Sequence, residues 1–123
     1  WNKWKDQNKM IGAIYTQDGM KNLEVVHRIP GWREKYPVFA ACAKLGEGWY
    51  LPAEEELNKL YVNRADLSNQ ARIFGGSSFI ETRYWSSTET SSTGAWNVIF
   101  DNGHYLNAYG KINQGRIRAI AVF

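Results

Sequence analysis

Tyr84-Trp85-Ser86-Ser87-Thr88-Glu89, followed by Ala95-Trp96-Asn97-Val98-Ile99-Phe100, is the stretch on which the fold turns. In residues 96–101, Trp96, Val98 and Phe100 alternate with Asn97, Ile99 and Asp101, the period of a strand with one face in a core and the other in solvent. Asn102-Gly103 follows, a pair suited to a two-residue turn with positive φ, so a hairpin is predicted. That turn sets Asp101 opposite His104 and Phe100 opposite Tyr105, but it also sets Val98 opposite Asn107. Beyond Tyr105 the second leg must therefore bulge or peel away as a loop.

Working outward, residues 101–114 are polar and offer a core almost nothing, whereas Gly48-Trp49-Tyr50-Leu51-Pro52 upstream and Arg116-Ile117-Arg118-Ala119-Ile120 downstream read as framework. The contrast implies a rigid frame presenting a display surface. Residues 116–123 carry apolar side chains on both alternating faces and are expected to form a central strand. Pro52 precedes Glu54-Glu55-Glu56, with Leu57, Leu60 and Tyr61 at helical spacing, so a helix starts there and its acidic residues read as a solvated first turn. Residues 65–74 predict a further helix stopped by Gly75-Gly76, and residues 36–45 a buried one with Pro37 in its first turn and Gly46 at its end. Residues 10–16 and 23–29 read as two short strands joined by Asp18-Gly19.

The chain has 123 residues, 44% hydrophobic and 22% charged, the size of one domain with one core. Its net charge of +3 comes from scattered cations, among them Lys3, Lys21, Arg33, Arg64, Arg83 and Lys111, without the basic stripe that a nucleic-acid partner requires. No apolar run approaches the roughly 20 residues of a membrane span, so none is expected in this segment. The opening Trp1-Asn2-Lys3-Trp4 reads as a cut or processed start, with residues 1–8 a cut linker or a flexible start. Cys42 alone excludes an intrachain disulfide and reads as a small buried thiol on a helix.

Motifs for catalysis are missing from the sequence. Ser86, Ser87, Ser91 and Ser92 sit in no Gly-x-Ser-x-Gly turn, and Gly75-Gly76 lacks the Lys and Ser or Thr of a phosphate loop. His27 and His104 have no clustered partners. No cofactor and no enzymatic activity are expected.

The ordered set Gly-Trp-Tyr-Leu-Pro, Glu56-Leu57-Asn58-Lys59-Leu60-Tyr61, Tyr-Trp-Ser-Ser-Thr-Glu, Ala-Trp-Asn-Val and a terminal Arg-Ile-Arg resembles the bacterial family typified by the C-terminal domain of a collagen-like adhesin. The resemblance spans residues 36–123. It implies an α+β domain of C-type lectin-like fold, with helices flanking a small, mainly antiparallel sheet and a loop-rich binding face. Within that fold group the chain is most similar to the variable proteins of diversity-generating retroelements, which implies residues 84–118 as a variable region on a surface, lipoprotein or phage-encoded protein acting outside the cell. The partner so implied is a protein or glycan ligand on another cell or molecule, with the oligomeric state left open.

The residue chemistry of that stretch agrees. Asn97, Ile99, Asp101, His104, Tyr105, Asn107, Ala108, Tyr109, Ile112 and Asn113 are the candidate ligand-binding residues, set between framework-like Trp96, Val98, Phe100, Gly103, Lys111, Arg116 and Arg118. Most are residue types reachable from an Asn codon by altering adenines. Tyr brings rigid contact area with few torsions, and Asn both donates and accepts hydrogen bonds. Two neighbouring functions in the fold group fit less well. A calcium-dependent sugar site needs six to eight oxygens, whereas Asp101 and Glu89 are too few and Trp96-Asn97-Val98 stands where the classical lectins have Trp-Asn-Asp. The copper site of formylglycine-generating enzymes resembles a paired-cysteine centre, which Cys42 alone does not supply. A calcium-independent carbohydrate-binding adhesin domain without diversification is the first alternative, and an enzyme related to formylglycine-generating proteins ranks behind it.

Overall fold

Asp18 opens the first helix: its side chain accepts a hydrogen bond from the Lys21 N–H at 3.2 Å, and α1 runs Gly19–His27. This corrects the expected hairpin. Gly19, Asn22, Leu23 and Val26 are the buried residues of α1, a spacing of three and four that marks one helix face. Residues 10–16, the other expected strand, carry no strand in the computed structural model, which describes residues 1–73, 82–101, 105–106 and 110–121. Four of their backbone donors are taken by side chains. Glu89 accepts from the N–H groups of Ile11, Gly12 and Ala13, and Asn22 Oδ1 from that of Tyr15.

Helices α2 (Trp32–Lys35) and α3 (Pro37–Ala43) follow, the second starting on the expected proline. Phe39 and Tyr36 pack edge-on against Trp1, with ring centroids 5.0 and 6.0 Å away. Trp1 and Asn2 are each only 3% exposed and are docked on the core, whereas residues 3–6 are exposed. Cys42 is buried in α3 as expected.

Strand β1 (Trp49–Tyr50) leads into α4 (Glu54–Val62) and α5 (Arg64–Ile73), close to the predicted spans. Only part of the acidic turn is solvated. Glu56 Oε1 accepts from the N–H of Ala53 at 3.0 Å and of Gly19 at 2.7 Å, while Oε2 accepts from the Tyr50 hydroxyl at 2.7 Å. One carboxylate thus ties the starts of α1 and α4 to β1. Gly19 has to be glycine for this, since a Cβ would come within 2.6 Å of the Tyr50 ring.

The larger sheet has the order β2 (Arg83–Glu89), β3 (Ala95–Ile99), β4 (Tyr105–Leu106), all antiparallel. From Tyr84 to Glu89 every residue of β2 is buried, so its serines and threonine are core residues and not surface polarity. Each is satisfied: Ser86 Oγ donates to the Trp96 carbonyl at 2.7 Å, Ser87 Oγ accepts from Asn22 Nδ2 at 2.8 Å, and Thr88 Oγ1 donates to the Tyr15 carbonyl at 2.9 Å.

The β3–β4 register pairs Val98 with Tyr105 and Asn97 with Leu106. Phe100 opposite Tyr105 was the expected pairing, so the legs are displaced by two residues. Apolar Val98 no longer faces a polar partner, which removes the conflict in the two-residue-turn register. The turn residues Asn102 and Gly103 lie outside the described residues. The C-terminal segment is also corrected. Instead of one central strand, it makes a parallel bridge from Arg116 to Tyr84 and then β5 (Ile120–Ala121), paired antiparallel with β1 in a separate two-stranded sheet.

Candidate functional site: a face above the three-stranded sheet

Trp85, Val98 and Phe100 are buried, and Phe100 packs tilted on Tyr84 with centroids 4.4 Å apart and edge-on to Tyr61 at 5.5 Å. Burial of these side chains is what a floor for the candidate face requires. Trp96 is only half-buried, so it stands at the edge of the floor.

Among the candidate ligand-binding residues, Asp101 and Asn113 are exposed, Ile99 is half-buried and Ile112 is 37% exposed. Tyr105 lies on β4 by its backbone. His104, Asn107, Ala108 and Tyr109 lie outside the described residues. Asn97 is a correction: it is 0% exposed, its Nδ2 donating to the Ala95 carbonyl at 3.3 Å. Simple in-and-out alternation fails there: Asn97 and Val98 are successive residues of β3, on opposite faces, and both are fully buried.

The base of the segment is held by a buried ion pair that the sequence did not announce. Lys111 Nζ lies 2.7 Å from Glu89 Oε2, with both side chains 0% exposed, and it also donates to the Lys9 carbonyl at 3.2 Å. The same ammonium sits 4.7 Å from the centre of the Trp1 ring. Burial pulls the Lys111 pKa below its ordinary value, and the bond to Glu89 opposes that pull. On the backbone, Lys111 N–H donates to the Thr93 carbonyl at 2.7 Å, next to an antiparallel bridge between Gly94 and Gly110. Residues 110–111 are thus clamped while 112–116 are exposed.

Two cavities flank that exposed stretch. One, of about 530 Å³, is lined by Thr82, Arg83, Ile99, Gln114, Gly115 and Arg116. The other, of about 340 Å³, includes Lys3, Val38, Trp85, Ile112 and Asn113 in its wall, together with the same Gln114 and Gly115. Gln114-Gly115 therefore forms a partition between them. It lies against the edge of the Trp85 indole, where a Cβ on Gly115 would come within 2.9 Å of Nε1. Thr82, Arg83, Gln114 and Gly115 were not candidates from sequence. Arg83 and Arg116 stand on either side of a long stretch of chain, and only the bridge at Tyr84 brings them together.

Other chemistry is sparse. Among the described residues no group of three or more His, Cys, Asp or Glu side chains could hold a metal ion, and no helix is long and apolar enough to cross a membrane. His27 sits at the end of α1, its ring 4.6 Å from that of Trp32. Compared with known proteins, the chain matches no protein-family model and no curated protein.

Proposed function

We propose that this chain is a non-enzymatic ligand-recognition domain of C-type lectin-like fold, with a diversified binding face on residues 97–113, working at the surface of a cell or phage particle. One observation carries the reading: Lys111 is locked to Glu89 inside the domain while Ile112 and Asn113, next to it in the chain, are exposed. Side chains attached to a clamped backbone can change without opening the core beneath. Aromatic and amide residues on such a face provide contact area and adaptable hydrogen bonds, as in antibody loops. Asn97 is left out of the contact set because it is buried.

The test is to randomise Ile99, Asp101, Tyr105, Ile112 and Asn113 together, then to measure thermal melts and ligand capture. The reading expects most variants to melt within a few degrees of the parent while capturing different ligands. Broad loss of cooperative unfolding overturns it. Diversification has its own test in the genome, where a neighbouring reverse transcriptase gene and an adenine-substituted copy of codons 84–118 are expected.

A further inference from the structure

We propose that residues 1–9 form a strap that opens and closes over the base of the candidate binding segment, so that the state of the strap sets how firmly residues 110–113 are held. This deepens the recognition reading and rests on it only for the consequence that an open strap weakens ligand capture. The strap reaches that base directly. Asn2 N–H donates to the Lys111 carbonyl at 3.1 Å, and Lys111 Nζ donates to the Lys9 carbonyl at 3.2 Å. The Trp1 ring lies against the same ammonium, its centre 4.7 Å away. Part of what shields the Lys111–Glu89 pair from water is therefore the strap itself, and that shielding keeps the pair strong. Trp1, Asn2 and Lys3 also share the wall of the cavity of about 340 Å³ with Ile112 and Asn113.

The strap is latched at one end and hinged at the other. At the latch, Trp1 Nε1–H donates to the Ser86 carbonyl at 2.8 Å, and the ring packs edge-on against Tyr36 and Phe39. At the hinge, Glu89 holds the N–H groups of Ile11, Gly12 and Ala13, which stay in place when residues 1–9 lift. Between them residues 3–6 are exposed, and Lys3 N–H donates to the Lys35 carbonyl at 2.9 Å. The two bonds of Asn2 Nδ2, to the Trp4 carbonyl and Asn8 Oδ1, stay inside the strap and survive its opening. Two buried oxygens oppose closure. Asn2 Oδ1 and Gln7 Oε1 have no hydrogen-bond partner among the described residues, and opening returns both to water. A segment with few anchors and a stored polar cost opens at a lower free energy than the whole domain.

The experiment is amide hydrogen exchange of the intact chain, followed by NMR as urea is raised below the unfolding transition. Amides that share an opening share its free energy, and a local opening exposes little surface and so depends weakly on urea. Lys3 N–H, bonded to the Lys35 carbonyl, reports the strap, and Lys111 N–H, bonded to the Thr93 carbonyl, reports the binding segment. Leu57 N–H, bonded to the Ala53 carbonyl at the start of α4, reports global unfolding. Lys3 and Lys111 are expected to exchange together, faster than Leu57 and with a weak urea dependence. Trp1→Ala removes the latch and should speed both by about tenfold, the scale of one lost buried hydrogen bond. Trp1→Phe keeps the ring packing without the bond to Ser86, so it should fall between the two, and it covers the case in which the Ala variant does not fold. Gln7→Met removes an unpartnered oxygen and should slow both amides.

Exchange of Lys111 together with Leu57, whether or not Lys3 opens earlier, overturns the coupling. So does a response to Trp1→Ala or Trp1→Phe at Lys3 without one at Lys111, and faster exchange in Gln7→Met overturns the opposing polar cost. Because exchange is read without any ligand, the strap can open with residues 110–113 even if randomising the face yields no binders, and the face can capture ligands with the strap permanently closed.

Discussion

Lys111 and Glu89 form a fully buried ion pair in which the carboxylate serves two masters: Oε2 meets the ammonium at 2.7 Å, while Oε1 accepts from the N–H groups of Ile11, Gly12 and Ala13. The pair fastens the candidate binding segment to the N-terminal part of the chain.

Breaking this pair from either side should be costly. Lys111→Met is expected to lose about 3–5 kcal/mol in chemical denaturation, the usual result of stranding one buried charge. For an isolated pair, apolar replacement of both partners often restores stability. Here Glu89→Met/Lys111→Met should remain destabilised, because three backbone donors lose their acceptor, whereas Glu89→Gln/Lys111→Met should recover part of the loss. Equal stability of the two double variants would refute the cradle.

Floor and face should separate in thermal melts. Trp85→Ala removes a side chain with 0% exposure and should cost about 3–5 kcal/mol. Trp96→Ala should cost less, since that ring is only half-buried. Asp101→Ala and Asn113→Ala, both exposed, should stay within about 0.5 kcal/mol of the parent.

Gly115→Ala places a methyl group 2.9 Å from Trp85 Nε1 and 3.0 Å from Cδ1, closer than side chains pack. The partition must move off the indole, with a loss of about 1–3 kcal/mol. The indole N–H resonance of Trp85 should shift strongly in this variant and hardly at all in Gln114→Ala. An unchanged resonance in Gly115→Ala would contradict the packing.

Cys42 gives a pH signature. Burial pushes its thiol from 9.0 up to about 12. Below pH 9 the thiol is protonated in both folded and unfolded chains and adds no pH dependence. Between pH 9 and 12 the unfolded chain releases the proton and the folded one keeps it, so stability falls as pH rises, by about 1.4 kcal/mol per unit at most. The difference in unfolding free energy between the parent and Cys42→Ala, measured at pH 8, 9.5 and 10.5, should shrink along that slope. A constant difference would show the thiol to be in contact with water.

Much of the framework was legible because its signals are local. Pro37 and Gly46 bracket α3, and Glu54-Glu55-Glu56 before Leu57 announces α4. The first helix was misread since Leu23, Val25 and Ile29 alternate as in a strand, while the decisive features, the Asp18 cap and the burial of Asn22 against Ser87, depend on the partner surface. Tertiary context overrode local pattern there. The same reason hid the polar interior of β2. Nothing in Ser86-Ser87-Thr88 tells a solvated strand from one whose hydroxyls are each matched by a distant group. In the candidate site, Asp101 and Asn113 could be named from sequence because polar residues between framework positions tend to face out. Arg83 could not, since its proximity to Arg116 arises from a bridge between segments remote in sequence.

Gln114-Gly115 belongs to both cavities at once, like a party wall between adjoining rooms. Occupying one chamber presses on a boundary that the other shares, so the two cannot be tuned as separate tenants. A ligand spanning both would gain from each, and any change that thickens the divider would be felt on either side.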